Sequence, residues 1–295
     1  MPVHRIDDPD DPRLRPFAQL PYRVRGGVRG EVRGGERRGN RGDGVVVEGE
    51  IAVARALASE HPVQALLLTP AHRARLGEAI PAALPVYEAE AALVRAVVGF
   101  DFHRGCLAVM PRPTGPPLET IVAGIVAGIV KEPPLEPIRV LVAEGLADPA
   151  NLGAVIRNAR AFGVALVLHG RGADPWSRRA IRAAMGLSLS LPVVGCEDLP
   201  VAVDRVRRAL GPSARAMAAV VQPGAVPLFD YRPASRTIVM VGNEGAGLSA
   251  PLRARADDAV TIPLSPGVDS LNVAAATAVI LWSLRAGWST SSAAR

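Results

Sequence analysis

Hydrophobic positions along this chain come in short unbroken runs separated by segments of helical period. The runs 138–146 (IRVLVAEGL), 165–170 (ALVLHG), 214–221 (ARAMAAVV) and 237–241 (TIVMV) have strand length without alternation, as parallel strands covered on both faces should. Between them the spacing turns helical. Over 151–163, Leu152, Val155, Ile156, Ala159 and Phe162 form one apolar stripe, with Gly153, Arg157 and Arg160 on the other side. Asn151 offers an N-cap there and Gly163 a C-terminal stop. A further helix is expected over 201–210, and another begins near Ser177. This alternation predicts an α/β domain over 138–288, a mostly parallel sheet with helices on both faces, followed by a tail at 289–295. Its last stretch reads as a strand, a glycine loop at 242–247, a short strand at 260–263, a polar loop at 265–270 and a long apolar helix.

Upstream, VVVEGE, QALLLTP, LPVYEA and CLAVMPR are strand-like runs with short helical segments between them, predicting a small α/β domain over 45–113. The proline-flanked segment 114–137, with ETIVAGIVAGIV at its centre, reads as a linker. Residues 1–44 have almost nothing to bury, ending in alternating glycine and arginine, and are expected to be mobile. Two readings fit this arm: an RNA-collecting tail, or an unselected low-complexity insertion.

Composition narrows the function classes. A net charge of +6, nearly all of its cations arginine, points to an anionic partner, nucleic acid first, although a GC-rich genome gives the same arginine bias. Only Cys106 and Cys196 occur, and the five histidines never fall at ligand spacing, so neither a disulfide framework nor a metal site is expected. The start has no apolar core of a signal peptide, and a reducing cytoplasm is the expected compartment. The apolar run 121–130 is too short to span a membrane, and 271–284 is also short and carries Asn272 and Thr277.

Two loops at strand ends, carrying mostly uncharged hydrogen-bonding residues, suit a small polar organic ligand better than a metal. The loop GNEGAG lacks the glycine spacing of a dinucleotide fingerprint, which argues against a nicotinamide-dependent enzyme. It offers close backbone approach plus one carboxylate, Glu244, which can pair with an arginine or fix a loop amide. Arg178, Arg179 and Arg182 sit in the first turns of their helix, where they oppose its dipole; a bound RNA phosphate explains them, and so does a solvated face. The His103-Arg104-Gly105 turn likewise fits either an RNA contact through Arg104 or plain turn chemistry.

Asn151-Leu152-Gly153 through Arg157-Asn158, then GNEGAGL at 242–248, then Ile262-Pro263 through Ser270-Leu271-Asn272-Val273 occur in that order at strand ends. With these motifs the second domain resembles the SpoU (TrmH) branch of the SPOUT methyltransferases, which methylate ribose 2′-hydroxyls of structured RNA. Residues 45–113 more faintly resemble the small substrate-binding domain that often precedes it. The resemblance implies a C-terminal trefoil knot, which periodicity cannot reveal. It implies S-adenosylmethionine as cofactor, held by Gly242, Asn243, Gly245, Gly247, Leu248, Ile262, Pro263, Leu264 and Leu271, and a homodimer across the knot.

It also implies Arg157 as the catalytic arginine, with Asn151, Glu244, Ser270 and Asn272 around it. Arginine strongly prefers its charged form, which favours stabilising a developing alkoxide over acting as a base; both roles stay open. Asn151 can orient Arg157 or the ribose; Ser270 and Asn272 can bond the target nucleotide or the 151–157 loop, and simple capping of the last helix also explains Ser270. The basic arm and small first domain favour rRNA over tRNA. The alternative is an RNA-binding protein of the same fold without catalysis.

Overall fold

The computed structural model describes residues 3–18, 44–98, 105–128 and 137–285. The chain divides into two compact units, Met1–Pro113 and Thr114–Arg295. In the first, strands β1 (Val3–Arg5), β2 (Gly44–Glu48), β3 (Ala65–Leu68), β4 (Val86–Glu88) and β5 (Cys106–Pro111) form one mixed sheet in the order β1-β4-β3-β5-β2. Helices α1 (Arg15–Ala18), α2 (Glu50–Leu57), α3 (Pro70–Leu76) and α4 (Ala91–Val98) accompany it.

The first residues are not the mobile arm that composition suggests. β1 pairs in parallel with β4, and Ile6, Leu14 and Phe17 are buried in the same cluster as Leu67, Val94 and Leu107. The Arg13 guanidinium lies 5.7 Å from the centre of the Tyr87 ring. Three well-placed apolar side chains are enough to order a charged segment, and a composition average hides them. The Gly/Arg-rich part of the arm, 19–43, lies outside the described residues.

The second unit contains α5 (Leu118–Val126), β6 (Ile138–Ala143), α6 (Pro149–Ala161), β7 (Leu166–His169), α7 (Arg178–Ala183), β8 (Val193–Gly195), α8 (Leu199–Leu210), β9 (Ala214–Ala219), β10 (Val226–Pro227), β11 (Arg236–Val241), α9 (Ala250–Arg253), β12 (Asp258–Thr261) and α10 (Val273–Ser283). Its seven strands run β10-β12-β9-β11-β6-β7-β8, and every pairing is parallel.

Strand alternation splits the core in two. Leu141, Val167, Met217 and Val239 pack on α6 and α10, whereas Val140, Leu166, Ala216 and Ile238 pack on α5 and α8. The unbroken apolar runs exist because both faces of the sheet are covered. The stretch expected as a linker therefore supplies a core helix: Leu118, Ile121, Val122 and Ile125 of α5 are buried against α8.

Two charged residues close weak points of this sheet. Arg139, buried within β6, donates from Nη1 to Ser235 O at 2.9 Å and from Nη2 to Leu284 O at 3.2 Å, the latter at the C-terminal end of α10, where a cation is favoured. Asp257 lies one residue before β12. Its N–H bonds Ala216 O at 2.7 Å, and its carboxylate accepts the Ala216 N–H at 2.8 Å and Arg207 Nη2 at 2.6 Å, standing in for a strand partner that has not yet begun.

Burial pushes the Asp257 carboxyl up, but the Ala216 N–H and the Arg207 guanidinium outweigh it, and its pKa lies below the ordinary carboxylate value. A carboxylate with a lowered folded pKa stabilises the fold above its unfolded pKa of about 3.9, and this contribution is lost as pH falls through the folded value. Asp257→Ala is expected to cost about 1–3 kcal/mol in urea unfolding at pH 7, because it leaves the Ala216 N–H unpaired. The deficit should shrink below about pH 4; a deficit that stays constant into acid would show that the charge contributes nothing.

Candidate active site at the strand ends

Because the pairings are parallel, the loops that follow β6, β9, β11 and β12 all emerge at one end of the sheet. A cavity of about 390 Å3 opens there, lined by the end of β9 and its loop (Ala219, Val220, Val221, Gln222), by 241–248, by Thr261, Ile262 and Leu264, and by Asp269, Ser270 and Leu271 with α10 behind. Its size is in the range of small-molecule sites, and the carboxyl ends of parallel strands are where open α/β sheets place their ligands.

The glycine loop is shaped by its own backbone. Asn243 and Gly247 exchange backbone hydrogen bonds, with Gly247 N–H to Asn243 O at 2.9 Å. The Asn243 carboxamide oxygen accepts from the N–H groups of Gly245 at 2.8 Å and Ala246 at 3.0 Å, and its Nδ2 donates to Gly145 O at 2.8 Å. The loop-fixing role that the sequence offers to Glu244 thus falls to Asn243. At Gly242 a Cβ would lie 2.2 Å from Gly247 C and 2.4 Å from Leu248 N, so the strand can turn back on itself only with glycine there.

Glu244 instead reaches across to α6, where its Oε1 accepts from Asn151 Nδ2. The same Asn151 accepts, through Oδ1, from Asn272 Nδ2 at 3.0 Å. Asn272 in turn caps α10, its Oδ1 accepting from Ala274 N–H at 2.9 Å. One side-chain chain, Glu244–Asn151–Asn272, therefore joins three segments that are far apart in sequence.

These bonds correct several expectations. The N-cap of α6 is Asp148, whose carboxylate accepts from Ala150 N–H at 2.9 Å with Pro149 at the first helical position, so Asn151 lies within the first turn and is free to bond sideways. The cap of α10 is Asn272; Ser270 is exposed and lines the cavity. Gly153 does not belong to a polar face, since it is buried and its Cβ would lie 2.2 Å from Ala180 O. This close passage is what lets α7 lie on α6. Arg157 is exposed on α6 and makes no hydrogen bond or ion pair to another described residue.

Of the residues expected at the cofactor, Gly242, Asn243, Gly245, Gly247, Leu248, Ile262, Leu264 and Leu271 line the cavity and Pro263 does not. Arg178, Arg179 and Arg182 stand on α7 away from the lining, with Ser177 as cap and Arg179 paired to Asp148 at 3.4 Å. Arg104 lies outside the described residues. Sequence reasoning missed the wall at 219–222, together with Arg253 and Asp269. The run at the end of β9 was legible as a strand, but only the strand order sets it between β11 and β12.

The model of the SpoU rRNA Methylase family matches residues 139–282. An uncharacterised tRNA/rRNA methyltransferase of Mycobacterium bovis is 34% identical over 288 residues, covering 95% of this chain and 91% of the relative. The 23S rRNA (guanosine(2553)-2'-O)-methyltransferase RlmP of Bacillus subtilis is 35% identical over 148 residues, which is 50% of this chain and 58% of that protein. The solved structure of the SpoU methyltransferase AviRb from Streptomyces viridochromogenes, in complex with the cofactor AdoMet, shares the fold with a TM-score of 0.71 at 22% identity, over 93% of this chain and 97% of that one.

Gly242→Ala tests the tight turn at the cavity wall. The added methyl has backbone, not a flexible side chain, in its way, so a loss of about 1–3 kcal/mol in urea unfolding is expected. An unchanged midpoint would show that the loop yields freely.

Proposed function

Because the chain belongs to the SpoU rRNA methylase family, we propose that it is an S-adenosylmethionine-dependent methyltransferase acting on a ribose 2′-hydroxyl of structured RNA, with rRNA as its substrate. The observation that carries this reading is the cavity at the strand ends, walled by glycine-loop backbone and tied through Glu244 and Asn272 to the helix that bears Arg157. The residues fit the cofactor. Apolar side chains from Val221, Ile262, Leu264 and Leu271 suit an adenine, and two carboxylates with one guanidinium suit a cationic amino-acid derivative. When bound, the sulfonium supplies the methyl group.

The chain's own residues have separate tasks. Asn243 and Gly242 hold the wall of the cavity; Asn151, Glu244 and Asn272 fix the spacing between that wall and α6. Arg157 stabilises the alkoxide that develops as the 2′-oxygen loses its proton, and the proton leaves to water or a neighbouring phosphate. Arg178, Arg179 and Arg182 meet RNA phosphates, as does Arg104, and the first unit adds substrate contacts. The parallel strand ends, with α10 returning to pack on α6, support the trefoil knot expected of the family.

A homodimer through the second unit completes the reading. Ala275, Val279 and Trp282 form an exposed stripe on α10 at helical spacing, with Val279 43% and Trp282 59% exposed, which is the kind of face a second copy covers. No helix among the described residues is long and apolar enough to cross a membrane, and we place the protein in the cytoplasm, where its RNA is.

Arg157→Ala is expected to lower kcat for transfer of a labelled methyl group to rRNA by about 10²–10³-fold, with an unchanged circular dichroism spectrum, since the side chain is exposed. Undiminished transfer would remove Arg157 from the mechanism. Light scattering on Trp282→Asp should give the mass of a single chain where wild type gives twice that; a dimer that survives the substitution places the interface elsewhere.

A further inference from the structure

We propose that Arg253 and Asp269 form a clasp for the α-amino-acid end of the ligand in the cavity, Arg253 taking the carboxylate and Asp269 the ammonium. This rests on the reading of the cavity as an S-adenosylmethionine site. The charged groups lining it are Glu244, Arg253 and Asp269. Glu244 is committed, because it holds Asn151. Arg253 and Asp269 are exposed, and neither side chain makes a hydrogen bond or ion pair to another described residue.

That combination stands out within this unit. Several arginine and carboxylate side chains elsewhere on its surface pair directly: Arg207 with Asp257, Arg215 with Asp258, Arg255 with Asp204 and Arg179 with Asp148. At the cavity an opposite pair, Arg253 and Asp269, borders the same space without joining. A zwitterion answers both charges at once: the guanidinium fork matches a carboxylate bidentately, and a carboxylate accepts from an ammonium.

The two groups also come from different segments. Arg253 ends α9, directly after the glycine loop; its N–H bonds Ser249 O at 3.0 Å, and the neighbouring Leu252 is fully buried, so the backbone beneath the guanidinium is fixed. Asp269 comes from the loop that leads into α10, three residues before the cap Asn272, which is tied to Asn151. The apolar part of the lining is left for the nucleoside. With two carboxylates against one guanidinium, the lining as a whole also favours a ligand carrying a net positive charge.

The test is calorimetric binding of S-adenosylmethionine, S-adenosylhomocysteine and 5′-methylthioadenosine, the last of which keeps the nucleoside and the sulfur but lacks the amino acid. Arg253→Ala and Asp269→Asn are each expected to weaken the two amino-acid-bearing ligands by about 10-fold or more while leaving methylthioadenosine unchanged. Arg253→Lys, keeping the charge without the fork, should fall between Arg253→Ala and wild type. An equal loss for all three ligands, or no loss for any, overturns the clasp. Wild-type protein that binds none of the three overturns the reading of the cavity itself.

Discussion

Everything at the candidate site depends on the parallel register of β11 against β6 and β9. Val241 stands opposite Ala143, and one step further Glu144 N–H bonds Val241 O at 2.9 Å, so the two central strands finish together. Parallel strands must have their connections elsewhere, as helices on the two faces, and their carboxyl ends are left to loops. Loops that are far apart in sequence are thereby delivered to one edge. Ordering so many irregular residues is entropically costly. The Asn243 carboxamide, the Glu244–Asn151–Asn272 chain and the Glu144 carboxylate, which accepts from Ser249 N–H at 2.7 Å, are what hold them in place.

The strands and helices of this sheet were legible because each helix covers a full face. Ile138, Val140 and Val142 face α5 and α8 while Leu141 and Ala143 face α6 and α10, and such a strand has no polar side to show. Where a segment is ordered by a few contacts, the sequence is much less informative. Leu14 and Phe17 are isolated apolar residues among charges, and only their meeting with Leu107 and Val94 gives them structural meaning. The helix α5 was read as apolar and its partner was not, since the surface that receives it belongs to α8, about 80 residues later.

The candidate site shows the same division. The glycines and the asparagine of 242–248 could be recognised as loop-forming from their chemistry alone, and all of them line the cavity. Of the partners across loops, the reach of Asn272 to the 151–157 segment was open to sequence reading, and the bond from Asn151 to Glu244 was not. The segment Asp148-Pro149-Ala150-Asn151 contains two residues able to cap a helix, and the proline decides for Asp148 by fitting the first helical position. That choice moves Asn151 into the first turn, where its side chain points across to Glu244 and Asn272 rather than along the helix axis. Strand order likewise sets 219–222 in the cavity wall, although nothing in that segment marks it as ligand-facing.

The position of Arg157 follows from the charge of the methyl donor in the proposed reaction. A guanidinium inside the cavity with no anion to answer it would repel a sulfonium, and in a partly dry site that repulsion is strong. Arg253 at the lining escapes the problem, because an amino-acid ligand brings its own carboxylate. Arg157 stands outside the lining, six residues along α6 from Asn151, about 9 Å at the usual rise per residue. The next residue, Asn158, donates to Ala274 O at 2.7 Å and so fixes this part of α6 to α10. In the proposed reaction this cation acts on the acceptor oxygen from a helix fixed to α10 and, through Asn151, to the glycine loop.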